Sequence, residues 1–228
     1  MTTTDGPYAD ARDMYLAHTM FRREFGLMAG LVRGVSAGDE EHTQIVVKHI
    51  EVLNMVLHHH HAGEDKHLWP RLLERGSAEV ATVVQLMESQ HQSIGETTAE
   101  VATALGAWRS RSASESGEAP ADALDRLARQ LDEHTRMEEE RALPIVEKCI
   151  TAADWGAMAQ EGAAAMPQEA VPLVLGMMVY EGDPGVIEGI LSHLSAGARD
   201  GLTNLASRVF ATHSKRVHGT TAPCRGRD

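Results

Sequence analysis

The sequence predicts an all-α protein, an antiparallel four-helix bundle with additional helices at its C-terminal end. Three observations predict it. Aromatic residues make up only 4% of the 228 residues while hydrophobic residues reach 43%, and the excess falls on Ala, Leu, Val and Met, with Glu also plentiful. That mixture suits helices better than pleated sheets. Four long helical segments can be read before residue 150, separated by Gly, Ser and Asp. Finally, the chain carries thirteen histidines, several of which recur in a duplicated pattern on those segments.

The first helix is expected over residues 10–35, ending at Gly34, Gly38 and the small residues between them. Asp39 supplies an N-cap oxygen for the second, which runs to Gly76. Ser77 caps the third, which fades into the Ser/Gly-rich stretch 110–117, the clearest loop of the chain. Pro120 suits the first turn of a fourth helix that continues to about Ile150. Thr151 to Asp154 then reads as an N-cap turn. Beyond it, Pro167, Pro172, Gly182 and Pro184 separate short helical pieces, and a last amphipathic helix covers residues 198–217.

The apolar run 171–180 gives about 15 Å of helix, half of what a bilayer requires, so it reads as a buried helix. It must pack on the bundle or on another copy of the chain. The tail after Gly219 is expected to be disordered. Residues 1–150 thus form one expected bundle domain. Residues 151–228 form an expected helical extension, available to a protein partner or a second copy.

The formal charge of -12 excludes a nucleic-acid or anionic-membrane surface, which would repel the chain. The polar start shows no charged-then-apolar leader, and Cys149 and Cys224 are far apart without metal-like spacing. Two reduced thiols and no leader predict a cytoplasmic protein.

The histidines carry the chemistry. One segment reads His60-His61-Ala62-Gly63-Glu64-Asp65 and continues to Trp69-Pro70, while another reads His134-Thr135-Arg136-Met137-Glu138-Glu139 and continues to Leu143-Pro144. Each has a histidine four positions before a glutamate, a second acid next, and a proline ten positions after the histidine. Upstream, His18 precedes His60 by 42 residues and His91 precedes His134 by 43, with Met14 and Met87 each four residues before the upstream histidine. Each half of the bundle therefore repeats the unit His … His-x-x-x-Glu.

Residues four apart on a helix share one face, about 6 Å apart along the axis, so each His/Glu pair can reach one centre. Inward carboxylates from facing helices can bridge two cations while imidazoles complete the shell. The donor set suits iron, manganese or zinc. The flanking faces agree: Leu53, Val56, Leu57 and Leu68 accompany His60, Val84, Met87 and Ile94 accompany His91, and Leu127 and Leu131 accompany His134. Six polar groups pointing into an apolar interior would each be costly without a partner, and metal binding removes that cost.

On His18, His60-x-x-x-Glu64, His91 and His134-x-x-x-Glu138, the chain resembles the hemerythrin-like (HHE cation-binding) family over about residues 10–150. The resemblance implies two non-haem iron ions with an oxo or hydroxo bridge, Glu64 and Glu138 as bridging carboxylates, and zinc or manganese as substitutes. It further implies a protein that binds, senses or detoxifies a small oxidant: dioxygen, peroxide or nitric oxide. The alternative is a metal- or redox-responsive regulatory module without turnover.

Oxygen carriers of that family place two histidines four apart on the third helix. Here the positions four from His91 are Met87 and Gly95. Six protein ligands with four histidines leave open coordination, which points away from oxygen carriage. The repeat selects His60 over His61, because Thr135 stands where a second His61 would be. His58, His59 and His61 are then surface or outer groups, and His67 lies at the rim. Asp65 and Glu139 are placed to be solvated or to hydrogen-bond a ligating imidazole. His42, His49, His193, His213 and His218 are assigned no role.

Overall fold

A computed structural model describes residues 6–111, 117–192 and 194–225. His193 and residues 112–116 of the expected loop lie outside them. The bundle consists of α1 (Arg12–Arg33), α2 (Glu40–Gly63), α4 (Ala78–Arg111) and α5 (Glu118–Arg141), with the short α3 (Trp69–Arg75) and α6 (Leu143–Cys149) prolonging α2 and α5. The extension adds α7 (Ala152–Ala165), α8 (Val171–Glu181), α9 (Pro184–Ile190) and α10 (Ala196–His218). Among the described residues there is no strand. A single antiparallel bridge, Tyr8 with Thr151, ties the N-terminal segment to the start of the extension.

Caps behave as the residue types demand. Asp39 accepts from the His42 amide at the start of α2, and Thr151 accepts from the Asp154 amide at the start of α7. The antiparallel order shows in the ion pairs. Arg33 at the end of α1 meets Glu118, Asp122 and Asp125 at the start of α5, at 3.1, 2.8 and 2.8 Å. Glu51 of α2 meets Arg109 of α4, and Glu100 of α4 meets Arg126 of α5.

Two of the four expected helices are interrupted just past the site, each at the proline whose place in the sequence calls for an end or a kink there. The second helix passes at Gly63 into a π-helical turn, Glu64–Leu68, closed by the Trp69 amide on the Glu64 carbonyl, and α3 begins with Pro70 in its first turn. A proline inside a helix has no N–H to give and crowds the carbonyl four residues back, so the turn before it widens. The fourth breaks at Ala142, again with Pro144 in the first turn of the new helix.

Within the bundle the apolar core falls into two blocks. One contains Phe21, Phe25, Leu53, Leu57, Ile94, Trp108, Leu124, Leu127 and Leu131. The other contains Met14, Leu68, Trp69, Leu72, Val84, Met87, Leu143 and Val146. On each bundle helix the boundary falls at a predicted ligand: between Met14 and Phe21, Leu57 and Leu68, Met87 and Ile94, and Leu131 and Leu143.

The apolar run is α8, and it packs on the bundle. Val174 and Met177 join the first core block together with Phe210 of α10, while Leu16 of α1 joins Leu175, Ile187, Leu191 and Ala206. No helix among the described residues is long and apolar enough to cross a membrane. The tail expected to be disordered is held as far as it is described. Ser214 donates to the Thr220 carbonyl at 2.7 Å, Tyr180 donates to the Pro223 carbonyl at 2.6 Å, and Arg225 lies over the Tyr180 ring. Fixed hydroxyl donors on α10 and α8 capture the tail's carbonyls and outweigh its composition.

Gly176 lets α8 and α10 touch: a Cβ there would run into the Ala206 carbonyl oxygen and lie 2.7 Å from Phe210 Cβ. Gly176→Val should therefore prise α8 from α10 and cost about 1–3 kcal/mol, read as a lower urea midpoint by circular dichroism. An unchanged midpoint would show that the crossing is not tight.

Candidate metal centre

All six predicted residues converge on the layer between the two core blocks. His18 comes from α1, His60 from α2, Glu64 from the first position of the π turn, His91 from α4, and His134 and Glu138 from α5. His18, His134 and Glu138 are fully buried, and Glu64 and His91 nearly so. Glu64 faces both ways: its Oε1 lies 3.1 Å from His60 Nε2 and its Oε2 lies 3.3 Å from His91 Nε2. Glu138 Oε2 stands between His18 Nε2 at 3.3 Å and His134 Nε2 at 3.7 Å.

A seventh residue joins them. His61, placed by the repeat among the outer groups, is 7% exposed and stacks on His91 with ring centroids 4.0 Å apart. One donor atom each from His61, Glu64, His91 and His134 lie within 4.8 Å of one another, and so do those of His18, His60, Glu64 and Glu138. The two sets share Glu64. The repeat does not show this burial, because positions 61 and 135 are both buried yet face different neighbours: Thr135 accepts from Arg22 of α1. The usable signal was adjacency, since an inward arc wider than about 100° takes two successive residues of a helix. His58 is exposed as expected, and His67 pairs with Glu161 of α7 at 2.7 Å, at the rim.

The acids that follow the ligand-type glutamates orient imidazoles. Asp65 Oδ1 lies 2.7 Å from His91 Nδ1 and also accepts from Trp69 Nε1. Glu139 Oε1 lies 3.0 Å from His18 Nδ1 and accepts from Arg22. Gln90 Oε1 lies 3.2 Å from His134 Nδ1. With the Nδ1 proton donated outward, each of these rings turns an Nε2 lone pair inward. His91 Nε2 and His134 Nε2 consequently face each other at 3.2 Å, an approach that two lone pairs tolerate only around a proton or a cation.

The cluster is built for positive charge. His18 Nε2, His60 Nε2, His61 Nε2 and both oxygens of Glu64 and of Glu138 find no hydrogen-bond partner among the described residues. So many buried donors and carboxylates left in that state at one place are what a bound ion would complete. Protons substitute in the metal-free chain. Burial pulls His18 and His91 down, but Glu138 beside the first, and Asp65 and Glu64 beside the second, raise each to about 9. Burial and the charge of His18 push His60 down to about 3, and burial foremost takes His134 to about 4. Burial and the neighbouring Glu138 raise Glu64, whereas His18 holds Glu138 low against its own burial.

An apolar cleft of about 230 Å³ reaches this layer, with His60 and Glu64 in its wall. Its other sides are Met14 and Ala17 of α1, Trp155, Met158 and Ala159 of α7, Met178 of α8 and Ile190 of α9. Residues 10–146 match the model of the hemerythrin HHE cation binding domain. No curated protein and no solved structure matches the chain.

The protonated histidines give the metal-free protein a pH signature. His18 and His91 titrate near 9 when folded and near 6.5 when unfolded, so their contribution is complete below about pH 6.5 and is lost as pH rises through 9. The depressed histidines act only below that window. The urea midpoint of metal-free protein should fall between pH 7 and pH 9.5, and a level profile would contradict the protonated pair.

Proposed function

The chain belongs to the hemerythrin HHE cation-binding family, and from that premise we propose that it holds two iron ions which take up a small oxidant: dioxygen, peroxide or nitric oxide. The observation that carries the reading is the pair of buried donor sets sharing Glu64. In it, His61, His91 and His134 serve one ion, His18, His60 and Glu138 serve the other, and Glu64 lies between them. Manganese or zinc suits the same donors. Bound iron supplies a redox couple and an open coordination position.

The chain's own residues do the rest. Asp65 and Glu139 keep the His91 and His18 rings in the tautomer that offers Nε2. The apolar walls of the cleft admit a small neutral molecule more readily than an anion, because a charge would be stripped of its hydration there. Five imidazoles instead of four leave less open coordination than the sequence alone suggests, and the cleft reaches the centre on the His60 side. The extension supplies much of the cleft wall, which also favours a sensing role in which occupancy is felt by α7, α8 and α9. The same reading puts the protein in the cytoplasm, where Cys149 and Cys224 stay as free thiols.

Protein loaded with iron should carry about two ions per chain, and less than one would end the proposal. Glu64→Ala should release both, while His61→Ala should release chiefly the ion it shares with His91 and His134. Equal loss in the two variants would reject the assignment of sets. Consumption of peroxide or nitric oxide that disappears in Glu138→Ala would mark an enzyme, whereas near-ultraviolet charge-transfer bands that respond to oxidant without turnover would mark a sensor. Ala159→Trp should slow either response without lowering the iron content, since it narrows the cleft and touches no donor.

A further inference from the structure

Three histidines outside this centre, assigned no role by the sequence, meet where α10 lies on the bundle. Glu24 of α1, His49 of α2 and His218, the last residue of α10, each bring one donor atom within 4.8 Å of the others. His49 Nε2 lies 3.3 Å from Glu24 Oε2, and His218 Nε2 lies 3.8 Å from the same oxygen. Glu24 and His49 are 0% and 1% exposed. Glu24 Oε2 and His49 Nε2 nonetheless have no hydrogen-bond partner among the described residues.

The surroundings account for one of the two Glu24 oxygens. Arg23 bonds Glu24 Oε1 and reaches Glu181 at 2.6 Å, with its guanidinium over the rings of Tyr180 and Phe210. Arg23 thus answers Oε1 of Glu24, while Oε2 faces the imidazoles of His49 and His218. A protonated imidazole could answer Glu24 Oε2, but the 3.3 Å approach of His49 is not aligned as a hydrogen bond. His49 Nδ1 lies 3.0 Å from His213 Nε2. If His49 donates there, its Nε2 lone pair is turned onto the carboxylate, the arrangement an outer partner gives a metal-bound histidine.

We propose that Glu24, His49 and His218 form a second, mononuclear cation site of zinc type that fastens the end of α10 to the bundle, with His213 orienting His49. Two imidazoles and a carboxylate are a common zinc set, and ligands about 2.0–2.1 Å from a tetrahedral zinc lie about 3.4 Å apart. The observed 3.3 and 3.8 Å to Glu24 Oε2, with the His49 and His218 donors within 4.8 Å of each other, are brought to that spacing by a closure of His218. The site takes one residue from each of three helices and shares none with the main centre.

Full-length protein, with its main centre filled by iron or by zinc, is equilibrated with zinc ion alone, desalted and analysed for metals. The expected result is one zinc per chain beyond those of the main centre. His218→Ala should lose that ion, with affinity reduced by more than the about 10–100-fold that removing an outer partner costs. Its main-centre metals should be unchanged. Zinc should raise the melting temperature of the native chain above that of the iron-filled form but not that of His218→Ala. His218 ends a helix, so this variant folds where Glu24→Gln could fail. Retention of the extra zinc in His218→Ala, or its absence from the native chain, overturns the site, and neither result bears on iron in the main centre.

Discussion

Moving an ionised carboxylate from water into a dry core costs more than one hydrogen bond returns, and placing a second beside it compounds the cost. Glu64 and Glu138 sit in that position across the middle of the bundle, both almost without exposure. The rest of the architecture answers this constraint. Five imidazoles surround the pair, Asp65 and Glu139 hold two of those rings from behind, and Arg22 steadies Glu139. Proline-broken helices follow immediately in both halves, where α3 and α6 close the layer off with Trp69 and Leu143. A cation would relieve the carboxylates and the inward lone pairs together, a task that protons share out singly among the histidines.

Much of this was legible in the chain because it depends on distance along a helix. His60 and Glu64, or His134 and Glu138, are a turn apart whatever else the protein does, and duplication of the unit places the two halves in register. Asp65 and Glu139 were legible for the same reason, one position on and turned outward. Rotation about the helix axis was harder. His60 and His61 differ by about 100°, and only the packed structure shows that both fall within the arc facing the interior. The π turn was visible only as a proline that had to disturb something.

Contacts between distant segments were not legible at all. Glu24, His49, His213 and His218 carry no mutual spacing, since their meeting depends on how α10 lies against α1 and α2. That placement follows from the apolar run of α8, whose need for cover was plain but whose partner was not. The tail is similar: nothing in its composition announces the Tyr180 and Arg23 neighbourhood that receives it. An extension that first reads as an appendage thereby supplies walls for the cleft and a seam of buried polar groups.

The division of the apolar interior into two blocks has a consequence for cooperativity. In most small domains a continuous core makes unfolding all-or-none. Here the two halves are joined through a stratum of ionisable side chains. Cations bound to donors from all four bundle helices would couple the blocks, so that damage to one would be felt in the other. Without them, the block around Trp69 and Leu143 would be freer to open while the block around Phe21 and Leu124 stays shut. The centre would then act as a clutch between two folding units, engaged by metal and slipping without it.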